Sequence, residues 1–142
     1  MKYLLKTTDI PGIFCRLVVG LIFLSEGIQK FLFPAELGPG RFTKIGFHDP
    51  AFWAYFTGTF EIVCSALILL GLFTRLASIP LLIIMLTAFV ATKWPILIDK
   101  GFWAMAHEYR TDFAVTVLLI FLLKYGGGRG SLDSKIYNSS KS

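Results

Sequence analysis

Residues 12–33, GIFCRLVVGLIFLSEGIQKFLF, constrain this chain more than any other stretch. The segment is long enough to cross a bilayer as a helix. Yet Arg16, Glu26 and Lys30 sit inside its otherwise apolar run. A charge at the centre of a membrane helix costs roughly 2.5–3.5 kcal/mol on insertion scales. A chain that keeps such charges must supply partners for them from other segments.

The remainder of the chain is equally apolar. Of 142 residues, 55% are hydrophobic and 15% aromatic, and the mean hydropathy is +0.68. That is too apolar for a soluble domain of this size and points to an all-α polytopic membrane protein, one helical bundle in a lipid bilayer. The apolar run after the lead at 1–11 is longer than the core of a signal peptide. No small-residue cleavage site follows it, so the first helix is expected to be retained. The net charge of +5 fits juxtamembrane Lys and Arg better than a nucleic-acid partner.

Four spans are expected, at about 12–33, 51–73, 75–98 and 110–125. Pro80 and Pro95 should kink or end the third. The breaker-rich residues 34–50 read as a structured loop with one helical turn at 41–45, and 99–109 as a second loop. The glycine run Gly126–Gly128 ends the fourth span. A polar tail at 131–142 follows, disordered from Asn138 onward. Four spans form an antiparallel bundle with both termini on one side. That side holds Lys2, Lys6, Arg75, Arg129, Lys135 and Lys141. The other side balances Arg41, Lys44, Lys100 and Arg110 against Glu36, Asp49, Asp99 and Glu108, so both termini are predicted cytoplasmic. Trp53, Trp94 and Trp103 fall near the far face as an aromatic belt.

At 1.5 Å per residue from the termini side, Glu26 lies about 21 Å in, Glu61 about 18 Å and Asp112 about 20 Å. Lys30 and Lys93 lie about 27 Å in, with His107 at a similar height and Arg110 beside Asp112. Glu26 and Lys30 are spaced i, i+4, which allows them to pair directly. Thr57, Glu61 and Ser65 form a polar stripe that belongs at a helix–helix contact. The expectation is a buried charged chamber of Glu26, Lys30, Glu61, Lys93, His107, Arg110 and Asp112. Two readings stay open: proton handling by carboxylates in a low-dielectric site, and ion pairs that fix helix register. A second cluster, Arg16, Arg75 and Asp133, lies at the termini side. It is read as interface anchoring or as a tail that folds back so that Asp133 pairs with an arginine.

The segments RLVVGLIFLSEGIQK (16–30), Glu61 followed by LLGLFTR (69–75), HEYRTDF (107–113) and the closing GGGRGSLD (126–133) resemble, in that order, the DoxX family of small four-helix membrane proteins. The family's recurrent polar positions correspond to Arg16, Glu26, Lys30, Glu61, Arg75, Arg110, Asp112 and Asp133. The resemblance implies a cytoplasmic (inner) membrane protein of redox-associated type. Its family is named for a subunit of a quinol oxidase and thiosulfate:quinone oxidoreductase system. If the chain is an enzyme, the resemblance implies a membrane oxidoreductase or a subunit of one. No catalytic residue is assigned. The glycine run is not a phosphate loop, since no Lys follows it.

The residues narrow the cofactors. Haem b needs axial histidines on facing helices, and only His48, in a loop, and His107 exist. A carboxylate metal site would want Glu-x-x-His pairs, which are absent, so no metal is expected. Cys15 and Cys64 sit at unmatched depths and read as inert thiols. A quinone needs only an apolar cleft with a few polar groups, and it remains the candidate ligand. The expected function is a quinone-interacting or accessory subunit of a membrane redox complex. The alternatives are a small-solute or proton-coupled transporter and a non-enzymatic assembly subunit. A homo-oligomer is compatible with each.

Overall fold

The computed structural model describes residues 12–128 and 131–141. Six helices account for most of them: α1 Ile13–Leu32, α2 Pro39–Ile45, α3 Pro50–Leu70, α4 Thr74–Lys100, α5 Phe102–Tyr125 and α6 Leu132–Lys141. No strand occurs among the described residues. Lys2, Lys6 and Arg129, on which the expected orientation partly rests, lie outside them.

Local chemistry sets the boundaries. Pro39 and Pro50 occupy first turns, where the missing N–H costs nothing. Gly71 ends α3 with φ 72°, a left-handed conformation that glycine adopts without a Cβ clash. Its N–H donates to the Ile68 carbonyl, and the N–H of Leu72 to that of Leu67, so two of the last carbonyls of α3 are satisfied.

The prolines that were expected to kink or end α4 do not end it. It runs through Pro80 and takes a π turn at Phe89–Lys93, just before Pro95. A proline inside a helix lacks an N–H and crowds the carbonyl four residues back. The wider π turn absorbs that crowding without ending the helix. α5 begins at Phe102, so the loop expected over 99–109 shrinks to a joint at Gly101, with φ 91°. Ala104, Met105, Ala106 and Glu108 are good helix formers, and their polar neighbours alone had suggested a loop. The tail is helical through Lys141, past the point at Asn138 where order was expected to stop.

α3 and α4 are long and apolar enough to cross a membrane by length and composition. α1 and α5 are also long, at 20 and 24 residues, but each carries several charges. α1 packs along α3, α4 along α5, with further contacts between α3 and α4 and between α1 and α5. Each of these four helices contributes to one apolar core: Val19 and Phe23, Cys64 and Ile68, Ala77 and Leu81, and Val115, Leu119 and Leu122. The outer surface is also apolar. Phe14, Leu21, Ile83, Leu86, Val90 and Trp103 are all more than half exposed. Apolar residues spread around every long helix suit contact with lipid and not with water.

Gly27 and Gly58 set the approach of α1 to α3. A Cβ on Gly27 would stand 2.9 Å from the Gly58 carbonyl oxygen and 2.7 Å from the Ile62 side chain. Small residues at such contacts let membrane helices pack backbone to backbone. Gly27→Leu is therefore expected to destabilise the fold by about 1–3 kcal/mol, the usual scale of overpacking. Leu21→Ala, on the outer face, should change little. Thermal unfolding in detergent reads both, and equal effects would contradict the close contact.

Candidate functional site

Close packing of α1 on α3 brings Lys30 to Glu61. The Lys30 ammonium donates to both carboxylate oxygens, at 2.9 and 3.1 Å. The two side chains are 10% and 4% exposed. Gly58 lies under this contact: a Cβ there would stand 3.0 Å from the Phe31 ring and 3.4 Å, an ordinary contact distance, from the Lys30 Cβ. Lys30 also lies in the last turn of α1, where a cation meets the negative end of the helix dipole. The sequence offered Glu26 as its i, i+4 partner. The structure selects Glu61 on the neighbouring helix.

A second pair joins α4 to α5. The Lys93 ammonium stands 3.8 Å from the Asp112 carboxylate, with side chains 11% and 31% exposed. Lys93 closes the π turn, and the Phe89 ring at the start of that turn packs edge-on against Tyr109, one helical turn before Asp112. This pair is looser and more open than Lys30–Glu61.

The remaining members of the expected chamber are not buried with these four. Glu26, His107 and Arg110 are all exposed. For Arg110 the physical reason is angular. On a helix of 3.6 residues per turn, Arg110 lies about 200° around from Asp112, so both cannot face α4. Glu26 lies only about 40° from Lys30 around α1 and is exposed all the same. Arg110 donates instead to the carbonyl of His107.

The opposite end of the molecule holds the other cluster. Arg16, Arg75 and Asp133 are buried, at 2%, 7% and 1% exposure. Asp133 accepts from the backbone N–H groups of Phe73, at 2.6 Å, and Thr74, at 2.9 Å. It thus caps the N-terminus of α4 from a distant point in the sequence. Its own N–H donates to the Gly71 carbonyl at 2.9 Å. The cap helps hold Phe73 at φ 49°, a left-handed conformation unusual for a bulky residue. Arg16 faces Asp133 electrostatically, and its guanidinium fills the space that a Cβ on Gly71 would need. Burial pushes the Asp133 carboxyl above the usual carboxylate range, against the pull of the two N–H donors and Arg16. Sequence reasoning missed Ser131. It is fully buried, donates to the Gly128 carbonyl at 2.7 Å and accepts from the N–H of Ser134 at 3.1 Å, capping α6. A serine just ahead of a helical stretch was the available signal.

Among the described residues, no group of three or more His, Cys, Asp or Glu is placed to hold a metal ion. Cys15 and Cys64 are free thiols, and Cys64 is buried in the core.

Lipid-facing helices around internal ion pairs define a helical membrane protein, and comparison with known proteins names its class. The family model for DoxX matches residues 13–94. A protein of Mycobacterium tuberculosis described as an uncharacterized membrane protein is 51% identical over 140 residues, covering 94% of this chain and 86% of its own. An uncharacterized protein of Haemophilus influenzae is 33% identical over 127 residues, covering 87% and 89%. No solved structure matches. The chain belongs to the DoxX family of membrane proteins.

Removing one partner of a buried ion pair typically costs about 3–5 kcal/mol, because the other charge is left stranded. Lys30→Met and Glu61→Met are each expected to lose stability on that scale, and the double variant to recover most of it. Unfolding of the three variants in detergent tests this, and a double variant as unstable as the worse single one would contradict it. Asp133→Ala is expected to cost about 1–2 kcal/mol as a lost helix cap. It should also open the tail to trypsin at Lys135, which limited proteolysis reads directly.

Proposed function

We propose that this DoxX-family protein is an antiparallel bundle of four membrane-spanning helices, α1, α3, α4 and α5, in the cytoplasmic membrane with both termini cytoplasmic. In this reading it serves a redox system as a quinone-interacting or accessory subunit. The observation that carries the quinone part is the Lys93–Asp112 pair. It is charged, only partly buried and loosely joined at 3.8 Å. It stands on a π turn whose Phe89 ring packs against Tyr109. π turns recur at functional sites. An apolar wall with one or two polar groups at membrane depth is what a quinone head group requires. Lys93 would donate to a ring carbonyl, and the aromatic pair would flank the ring.

The Lys30–Glu61 pair favours a second role in the same protein. Its charges satisfy each other and leave no reactive group free, so it is read as the element that locks α1 to α3. That suits a subunit or binder better than a self-contained enzyme.

The test uses protein purified in mild detergent. Organic extraction is expected to recover quinone, and added menaquinone or ubiquinone to raise the melting temperature. Lys93→Met should abolish the rise, while Ile83→Ala on the outer face should not. No extracted quinone and no shift with the wild-type protein would overturn the reading.

A further inference from the structure

The apolar core ends partway along the bundle, and it ends at one height on all four long helices. Val19, Cys64, Leu81 and Leu119 are buried in it, one each from α1, α3, α4 and α5. Seven residues make just under two turns, so the residue seven farther from the termini end lies about 20° from each around its helix. Those residues are Glu26, Thr57, Ala88 and Asp112. Each points nearly the way its buried counterpart points, yet Glu26 is exposed and the other three are only half-buried. A carboxylate directed inward at this depth and still accessible calls for water, because lipid opposes a charge there.

The four share a level. Gly12, at the start of α1, and Gly127, just past the end of α5, are in backbone contact: a Cβ on Gly12 would stand 2.6 Å from the Gly127 oxygen. The turn at Gly71 joins α3 to α4 at the same end. Counted from there at 1.5 Å per residue, Glu26 lies about 21 Å from Gly12 and Thr57 about 20 Å from Leu70. Ala88 lies about 21 Å from Thr74, and Asp112 about 20 Å from Tyr125. Beyond the core, Ala54 and Met105 are the only buried apolar side chains among the described residues. The other buried side chains there are charged: Lys30, Glu61 and Lys93. α1 packs along α3, and α4 along α5. Among the described residues, each ion pair lies within one of these two helix pairs and none bridges them.

We infer that beyond its core the bundle opens between the α1–α3 and α4–α5 pairs into a water-filled crevice, reached only from the face opposite the termini. Its floor is the core at Phe23 and Val115. Its walls carry Glu26, Glu61 and Asp112 against Lys30 and Lys93, and Glu26 interacts electrostatically with Glu61. Three carboxylates against two lysines leave one negative charge in excess, which concentrates small hydrated cations, protons included. The core and the tail held by Asp133 close the other end. The crevice rests on the reading of α1, α3, α4 and α5 as a spanning bundle and not on quinone binding.

The test is cysteine labelling in sealed membrane vesicles that enclose a C-terminal tag, so that an impermeant reagent meets only the opposite face. Leu86→Cys is the control, since Leu86 is exposed on the outer face at a similar height. A thiol reacts as its thiolate, which water supports and lipid does not, so Thr57→Cys and Ala88→Cys are expected to react with a cationic methanethiosulfonate about tenfold faster than Leu86→Cys. They should exceed the wild-type protein equally, because its Cys64 is in the core. An anionic reagent should be several-fold slower at Thr57→Cys, and adding Glu26→Gln should remove that difference. Two positions on different helices guard against a variant that fails to fold, which its melting temperature would show. Folded Thr57→Cys and Ala88→Cys proteins as unreactive as the wild type would overturn the inference, whether the gap is closed, filled by lipid or occupied by a partner helix. Equal labelling of Leu86→Cys would overturn it too, by removing the spanning bundle on which it rests. Equal rates for the two reagents would overturn the preference for cations.

Discussion

A lysine ammonium held 2.9 Å from a carboxylate, with both side chains almost out of reach of solvent, decides whether α1 can be a membrane helix at all. Left alone in an apolar phase, either group would oppose insertion by several kcal/mol. Together they make the first helix inseparable from the second long one. Gly27 and Gly58 matter because they allow the helix backbones to approach until Lys30 reaches Glu61. The pair therefore depends on small residues a turn away, and the close packing depends on the pair.

The opposite end is built differently. There the chain folds back on itself, and a carboxylate from the tail caps a helix that starts some sixty residues earlier. Asp133, Ser131, Gly71 and Arg16 occupy one small volume, with Ser131 and Asp133 essentially without solvent exposure. Between the two polar ends lies the apolar core drawn from all four long helices. A tight turn at one end and a cross-helix ion pair at the other thus bracket a core of aliphatic side chains. The second pair, Lys93–Asp112, is the looser element, and it stands where a proline has already forced α4 into a wide turn.

Much of this was legible in the sequence. The long apolar runs located the long helices, and depth counting grouped Lys30, Glu61, Lys93 and Asp112 at neighbouring heights. The clustering of Arg16 with Asp133 followed from the expectation that both ends of the chain lie on one side of the bundle. Direction was harder to read than height. One residue turns a helix by about 100°, so Arg110 shares a level with the paired groups and still faces outward. The choice of Glu61 over Glu26 depended on how closely two helices approach, which spacing along one helix does not encode. The start of α5 at Phe102 was missed because charge in 99–110 was weighed above helix propensity. The prolines left a kink or an end open for α4, and the π turn at Phe89–Lys93 is a detail that no local motif announces.

These observations give a DoxX-family membrane protein whose internal charges join helices in pairs. The most direct measurement of that claim is a solid-state NMR distance in lipid bilayers between the labelled Lys30 ammonium nitrogen and glutamate side-chain carboxyl carbons. Strong coupling to Glu61 and none to Glu26 is the expected result. Coupling to Glu26, or to neither, would contradict it.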